Sequence, residues 1–458
     1  MTLEQILPYR DGGRSSLRAL AERVDIATRE PPINIWGNAV EITASHIRIA
    51  GLSKFIKLGD WVLIETESGN EIAEAIRIDT ESILVRPFED RHRAAIGARA
   101  RITHALTLCP DESWKGRVID ALARPVDGGP PLVKGTLPTP LDRPPPGAFH
   151  RERLSEPVFT SVRAIDVFTP LCAGQRIGVF AGSGVGKSTL LSMLARTNQF
   201  DTTVFAAIGE RGREVKEFVE DTLGDGIGKA IVVVSTSDES PMMRRLAAKT
   251  SLAVAEYFRD MGQRVLLIFD SITRFAQAAR EIALASGEPP VSRGFPPSVF
   301  TTLPKLLERA GCDAHGGSIT GVFSVLVEGD DHNDPVADTL RGILDGHIVL
   351  DRAIADQGRF PAIDILGSVS RLAIRVWSPE QRALVSALKA MIAKFEETRD
   401  IRLIGGYKAN NDLELDKAVR RVPSLYRYLS QAPDEVRSEE TLDDMLRALL
   451  AGDSGFSG

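Results

Sequence analysis

The stretch Arg176-Ile-Gly-Val-Phe-Ala-Gly-Ser-Gly-Val-Gly-Lys-Ser-Thr-Leu-Leu constrains this chain more than any other. It runs from an apolar strand through a glycine-rich turn into Lys187-Ser188 and an apolar helix start, the order in which a phosphate-binding loop is built. Gly182, Gly184 and Gly186 let the backbone turn so that several N–H groups face one point, and the helix N-terminus adds partial positive charge there. The candidate nucleotide-binding set is therefore Gly182, Ser183, Gly184, Val185, Gly186, Lys187, Ser188 and Thr189. A triphosphate is the guest it suits, with Lys187 reaching the β- and γ-phosphates and the Ser188 hydroxyl binding magnesium. One departure is visible: Ala181 stands where the strict pattern begins with Gly, ahead of the phosphate cradle.

Two carboxylates downstream complete the chemistry. Arg264-Val-Leu-Leu-Ile-Phe-Asp270-Ser271 is an apolar strand ending in an acid. In a parallel sheet the C-terminal strand ends line the ligand crevice, so Asp270 is expected to face the magnesium held by Ser188. Taken alone, an Asp at a strand end is more often a helix cap or turn residue, and it is the pairing with the loop that favours the metal. Between loop and acid, Thr203-Val-Phe-Ala-Ala-Ile-Gly-Glu210-Arg211-Gly-Arg213-Glu214 sets Glu210 just past another strand end. There it could polarise a water in line with the γ-phosphate, or belong to a solvated charge cluster. The acidic run Glu328, Asp330, Asp331, His332 and Asp334 reads as a solvated loop, and Cys312 with His315 as an isolated structural pair.

The rest of the chain changes style three times. Leu17, Leu20, Ala21 and Val24 fall on one helical face, either an arm packed on its own domain or a docking helix for a partner. From Ile33 to about Arg101, short alternating segments (Asn34 to Glu41, Trp61 to Glu65, Glu74 to Ile78, Ile83 to Pro87) separated by turn signals predict a small all-β module closed as a barrel. Residues 124–148 are rich in Pro and Gly and read as a surface connector. Beyond them the apolar runs Gln175 to Ala181, Thr203 to Gly209, Ala230 to Ser235, Arg264 to Phe269 and Ile319 to Val327 alternate with helical stretches, as in a largely parallel sheet covered on both faces. After Ser378 the pattern is purely helical, with Leu384, Leu388, Met391, Ile392 and Phe395 on one face and two more helices near 413–430 and 439–451. The expected partition is an arm over 1–27, a β-barrel over 28–101, a nucleotide-binding α/β domain over 102–377 and a helical domain over 378–458.

Composition decides what the chain is not. With 56 basic and 62 acidic residues, a formal net charge of −6 and a pI near 5.8, nothing global points to a nucleic-acid or anionic-membrane binder. Three scattered cysteines, Cys109, Cys172 and Cys312, are too few for a disulfide framework or a four-ligand zinc site. The N-terminal residues lack the apolar core of a secretory signal, and no apolar run approaches the ~20 residues of a membrane span. These readings predict a soluble cytoplasmic protein that meets a membrane through partners.

The motifs AGSGVGKS, AAIGERGREVKEF, VLLIFDSITRFAQAARE, SVLVEGDDHNDPVADTLRGILDGHIVL and PAIDILGSVSRL resemble, in order and spacing, the export ATPases of flagella and related type III secretion systems. That family groups with the catalytic subunits of rotary F- and V-type ATPases. The likeness runs from about residue 30 to 430. It implies an N-terminal β-barrel, a central P-loop (RecA-like) nucleotide-binding α/β domain and a C-terminal helical domain, with ATP as substrate and Mg2+ as cofactor. By this resemblance Glu210 is the catalytic glutamate that activates the attacking water. Arg211 and Glu214 lie near the phosphates and the magnesium waters, Glu214 and Asp270 holding the metal through water. Arg371, in Gly-Ser-Val-Ser-Arg, is the arginine finger supplied to a neighbouring subunit's site; the residues alone would not single it out. Phe360, in Gly-Arg-Phe-Pro-Ala, stands where relatives place an aromatic, usually Tyr, against adenine. A finger in trans is worth about 10³–10⁵ in rate, so a lone subunit is expected to be nearly inactive.

The resemblance thus implies an ATP-hydrolysing homohexamer that energises protein export through the flagellar type III apparatus, peripheral to the inner membrane. One alternative is a virulence (injectisome) secretion ATPase. Another is a rotary F/V-type catalytic subunit, disfavoured because one chain carries Lys187, Glu210 and Arg371 together. A third is a hexameric RNA translocase, which would need a basic, aromatic N-terminal surface; here Trp36, Phe55, Trp61 and Phe88 stand amid mixed charge. The implied partners are a stator-like negative regulator on the N-terminal arm, a coiled-coil stalk protein, export chaperones and cargo on the C-terminal helices through the Phe395 to Tyr428 region, and an export-gate membrane protein. No nucleic-acid partner is expected.

Overall fold

The computed structural model describes residues 35–451 except 91–92, 148, 150, 155, 314–315, 328–333 and 436–441. The arm expected around Leu17 to Val24 lies outside the described residues, as do His315 and the acidic run up to His332. The described chain divides into two compact units, one ending at His104 and one comprising Phe88–Asp90 with everything from Ala105 on.

The first unit is a closed barrel. Its strands are β1 (Trp36–Ile42), β2 (Ile47–Ala50), β3 (Trp61–Thr66), β4 (Gly69–Ile78), β5 (Ser82–Pro87) and β6 (Arg99–Thr103), joined in the order β1-β2-β5-β4-β3-β6. Every neighbouring pair is antiparallel, so closure leaves no open edge to template aggregation. Alternation along the strands turns Ile47, Ile49, Val62, Ile64, Ile83 and Val85 inward, all fully buried. Gly37 is required where β1 crosses β2: a Cβ there would stand 2.4 Å from the Ala50 carbonyl oxygen.

The second unit is built on a sheet of nine strands among the described residues: β7 (Val118–Asp120), β8 (Arg176–Ala181), β9 (Thr202–Ile208), β10 (Ala230–Ser235), β11 (Arg264–Asp270), β12 (Gly311–Cys312), β13 (Ser318–Leu326), β14 (Gly346–Leu350) and β15 (Ile363–Ser370). The order is β15-β14-β8-β13-β11-β9-β10-β7, with β12 on β13. All pairs along that path are parallel except β14 with β15. Strands β9 and β10 are buried at every residue, which is why they read as continuous apolar runs: helices cover both faces. Helix Pro241–Asp260 starts sharply because Pro241 presets its first turn and the Ser240 hydroxyl accepts the Met243 N–H at 3.0 Å.

The C-terminal helices Pro379–Glu397, Leu413–Leu429 and Leu442–Ala451 close on the same core as the sheet. Val385, Leu388, Ile392, Val422, Leu425 and Met445 are buried in one cluster with Ile177, Val179 and Leu190 around the glycine loop. Ser378 and Gln381 form a reciprocal capping box that fixes where the first of these helices begins.

Candidate functional site

The glycine loop leaves the C-terminal end of β8, between β13 and β14. Gly184 and Gly186 have φ of 76° and 95°, the left-handed region that glycine enters without strain. Gly186 caps the helix Lys187–Ala195, whose first N–H groups lack intrahelical partners and so face whatever occupies the loop. Val185 is buried beneath the loop, while Ser183, Gly184, Ser188 and Thr189 are exposed to it. Gly182 and these residues, with Glu210, Arg211, Glu214 and Lys187, line one cleft of about 940 Å³.

Electrostatics concentrate at its floor. Lys187 donates to Asp270 Oδ1, and its Nζ lies 3.5 Å from Glu210 Oε1. The three side chains are only 11%, 7% and 16% exposed, for Lys187, Asp270 and Glu210 respectively. Asp270 is the last residue of β11 and also accepts from the Ser324 hydroxyl. That follows from register, since Phe269 pairs with Phe323 of β13. Burial pushes the Glu210 carboxyl up to about 7; the Asp270 charge and a Glu214 hydrogen bond add to the rise and Lys187 opposes it. Burial alone would favour neutral Lys187, but the Asp270 and Glu210 carboxylates outweigh it and raise its pKa.

Glu210 is delivered by Gly209, whose φ is 72° and whose missing Cβ makes room for Arg274: a Cβ there would lie 2.9 Å from Arg274 Cβ. Arg211 and Glu214 line the same cleft further out, with side chains 82% and 51% exposed and a closest approach of 4.0 Å. Phe360 lies in an adjoining pocket of about 450 Å³ with Met193, Pro361 and Pro433, and its ring is 3.8 Å from where a Gly186 Cβ would be.

Arg371 is not in the cleft of its own chain. It follows β15, which pairs Ile363 with Leu350 and Ser370 with Gly346, so the antiparallel strand carries it to the opposite end of the sheet from the glycine loop. Eight residues of strand span about 25 Å. Its exposed guanidinium donates to the Arg341 carbonyl at 2.9 Å.

The structure also adds residues that sequence reasoning missed. Arg274 lines the cleft from the first turn of helix Ile272–Ala285, and its Nε is buried without a hydrogen-bond partner among the described residues. Its signal was position, one turn past Asp270 on the helix that follows the acid. Arg352 donates to the Ser183 carbonyl at 2.9 Å, and Ser324 fixes Asp270. A divalent metal fits this donor set by sharing. Among the described residues no three His, Cys, Asp or Glu side chains converge, so an ion near Ser188 would complete its shell with phosphate and water, as Mg2+ does.

Residues 161–370 match the model of the ATP synthase alpha/beta family, nucleotide-binding domain, and residues 377–449 that of the T3SS EscN ATPase C-terminal domain. The chain is 52% identical over 417 residues to the flagellum-specific ATP synthase of Agrobacterium fabrum, covering 91% of this chain and 88% of that one. The corresponding protein of Rhizobium meliloti is 50% identical, with coverage of 96% and 95%. The type 3 secretion system ATPase of Xanthomonas euvesicatoria is 40% identical, with coverage of 90% and 94%. Among solved structures, the assembled ATPase EscN of the enteropathogenic E. coli type III secretion system superposes with a TM-score of 0.84 at 39% identity, covering 91% of this chain and 99% of that chain. EscN in complex with its central stalk EscO gives 0.82 at 38%, with the same coverage.

Proposed function

This chain belongs to the family of flagellar and type III secretion ATPases, and from that premise we propose how its cleft works and how copies share it. It is an ATPase whose hydrolysis of ATP drives type III export. The flagellar apparatus is the system: relatives named for it reach 52% identity, against 40% for the secretion ATPase of Xanthomonas euvesicatoria.

The triphosphate settles on the N–H groups from Gly182 to Ser188, and Lys187 moves from Asp270 and Glu210 to its β- and γ-oxygens. Ser188 through its hydroxyl, and Asp270 and Glu214 through water, would hold Mg2+, which when bound would neutralise phosphate charge. Glu210, freed of Lys187, orients the attacking water and takes its proton. Arg211 and Arg274 add positive charge along the phosphate wall, and Phe360 stacks on the adenine ring. The remaining cation, Arg371, comes from a neighbouring copy.

The observation that carries this reading is the gathering of Lys187, Glu210 and Asp270 beside the glycine loop, with Arg371 at the other end of the sheet. The test mixes two inactive variants. In mixed assemblies a Glu210→Gln copy lends its Arg371 to the intact Glu210 site of an Arg371→Ala copy, so ATPase activity above that of either variant is expected. No gain on mixing overturns the shared site.

The assembled form of EscN supports self-association here as a homohexamer, and its complex with EscO supports a stalk partner. Ile401, Leu403, Ile404 and Leu413, between 50% and 83% exposed near the turn joining two C-terminal helices, offer the apolar surface for that stalk. A regulator on the N-terminal arm, chaperones and cargo on the C-terminal helices and an export gate in the membrane complete the proposed set. The working position is the cytoplasmic face of the inner membrane, reached through partners, since no helix among the described residues is long and apolar enough to cross it.

A further inference from the structure

The base-side pocket and the C-terminal helices meet at one side chain. Helix Leu413–Leu429 ends at Ser430, and the next residue, Gln431, is hydrogen-bonded three ways. Its N–H donates to the Phe360 carbonyl at 2.8 Å, its Oε1 accepts the Arg163 N–H at 2.7 Å, and its Nε2 donates to the Ser161 carbonyl at 3.0 Å. Both ends of the amide are spent on the core, and the backbone grips the residue that carries the aromatic ring.

Two arginines brace the same segment. Arg163 Nη1 donates to the Tyr428 carbonyl at 2.6 Å, with its guanidinium 4.9 Å over the Tyr428 ring. Arg196, the C-cap of the helix that begins at Lys187, donates to the Pro433 carbonyl at 3.3 Å. Ser430, Gln431 and Pro433 line the pocket with Phe360, and among the described residues only Gly186 and Thr189 line both this pocket and the phosphate cleft.

We infer that Gln431 is a positioning residue that ties the C-terminal helices to Phe360, so that a shift of those helices alters the hold on the nucleobase and leaves the hold on the phosphates unchanged. This rests on the proposed stacking of Phe360 on the base. The shape of the connection gives the direction: the braces reach the Phe360, Tyr428 and Pro433 carbonyls, while on the phosphate side Lys187, at the start of its helix, donates to Asp270, which Ser324 holds from the neighbouring strand.

The full chain, with Mg2+, is titrated calorimetrically with ATP and with inorganic tripolyphosphate, which has no base. Gln431→Leu is expected to weaken ATP binding about tenfold, the equivalent of roughly 1.4 kcal/mol, and leave tripolyphosphate within about twofold. KM for ATP rises in parallel while kcat holds. Gln431→Glu keeps the acceptor for the Arg163 N–H, loses the donor to Ser161 and is expected to fall between; it carries the test if the Leu variant does not fold. Equal weakening of both ligands, or of neither, overturns the inference while leaving the Phe360 reading intact. A wild-type protein that binds both ligands equally removes the Phe360 reading, and this inference with it.

Discussion

Lys187 Nζ stands 3.5 Å from Oε1 of Glu210 while the same ammonium donates to Asp270, so a single cation serves two nearly buried acids. Removing it leaves like charges side by side, the costly half of a broken buried pair. Lys187→Ala is expected to lower ATP turnover at least about 100-fold and to destabilise the chain by about 2–4 kcal/mol at alkaline pH. The penalty shrinks in acid, where Glu210 takes a proton. Retained ATPase activity would overturn the loop assignment.

Glu210 makes stability itself depend on pH. Its folded pKa of about 7 lies above the usual 4.5, so the folded chain holds the proton more tightly than the unfolded one. The contribution is largest below 4.5, declines as pH rises to about 7 and stays low above that. Glu210→Gln, neutral throughout, is therefore expected to be inactive yet more stable than wild type, by up to about 3 kcal/mol at alkaline pH. Melting curves that show the same gain at acid pH would contradict the assignment.

The same group sets the acid limb of activity. As the proposed base for the attacking water, Glu210 must be ionised, so kcat/KM should fall about tenfold per pH unit below about 7 and level off above it. A flat profile across that range sinks the base role.

Gly209→Ala tests how Glu210 is aimed. The new methyl must enter at φ 72° and meet Arg274 Cβ at 2.9 Å. A loss of about 1–3 kcal/mol in stability is expected from the strain. Turnover should fall as well, because Glu210 and Arg274 are displaced together. Unchanged melting temperature and activity would show that the turn adapts freely.

Away from the cleft, Arg309 grips Glu256 with two bonds of 2.8 Å, the side chains 5% and 1% exposed. Glu256→Gln strands a buried guanidinium and should cost about 3–5 kcal/mol, whereas joining Glu256→Leu with Arg309→Met should recover most of it. Denaturant midpoints of the single and double variants decide this.

What could be read in advance was what is local. The glycine loop announced itself because its chemistry lies within consecutive residues, and Asp270 and Glu210 because each ends an apolar run. Ser324 did not, since it reaches Asp270 only through the pairing of β11 with β13. Short strands were missed for a related reason: β2 and β7 have four and three residues, too few for a period to show. Strand β15 carries Gly367 and three polar side chains within a stretch that is only partly buried, so it lacks the unbroken apolar run of β9. Arg371 and Phe360 entered through family resemblance, because one lies away from the cleft of its own chain and the other looks like any exposed aromatic.

The backward run of β15 has an arithmetical consequence for assembly. A strand that carries Arg371 to the far end of the sheet would, on the proposed role of Arg371 as a finger in trans, give each copy a donor end and an acceptor end. An open row of copies then always has one finger with no site and one site with no finger. Joining the ends of the row completes a final site without adding a subunit, so on the proposed role of Arg371 ring closure is itself an activating event, raising the rate per chain beyond that of an open row of the same length.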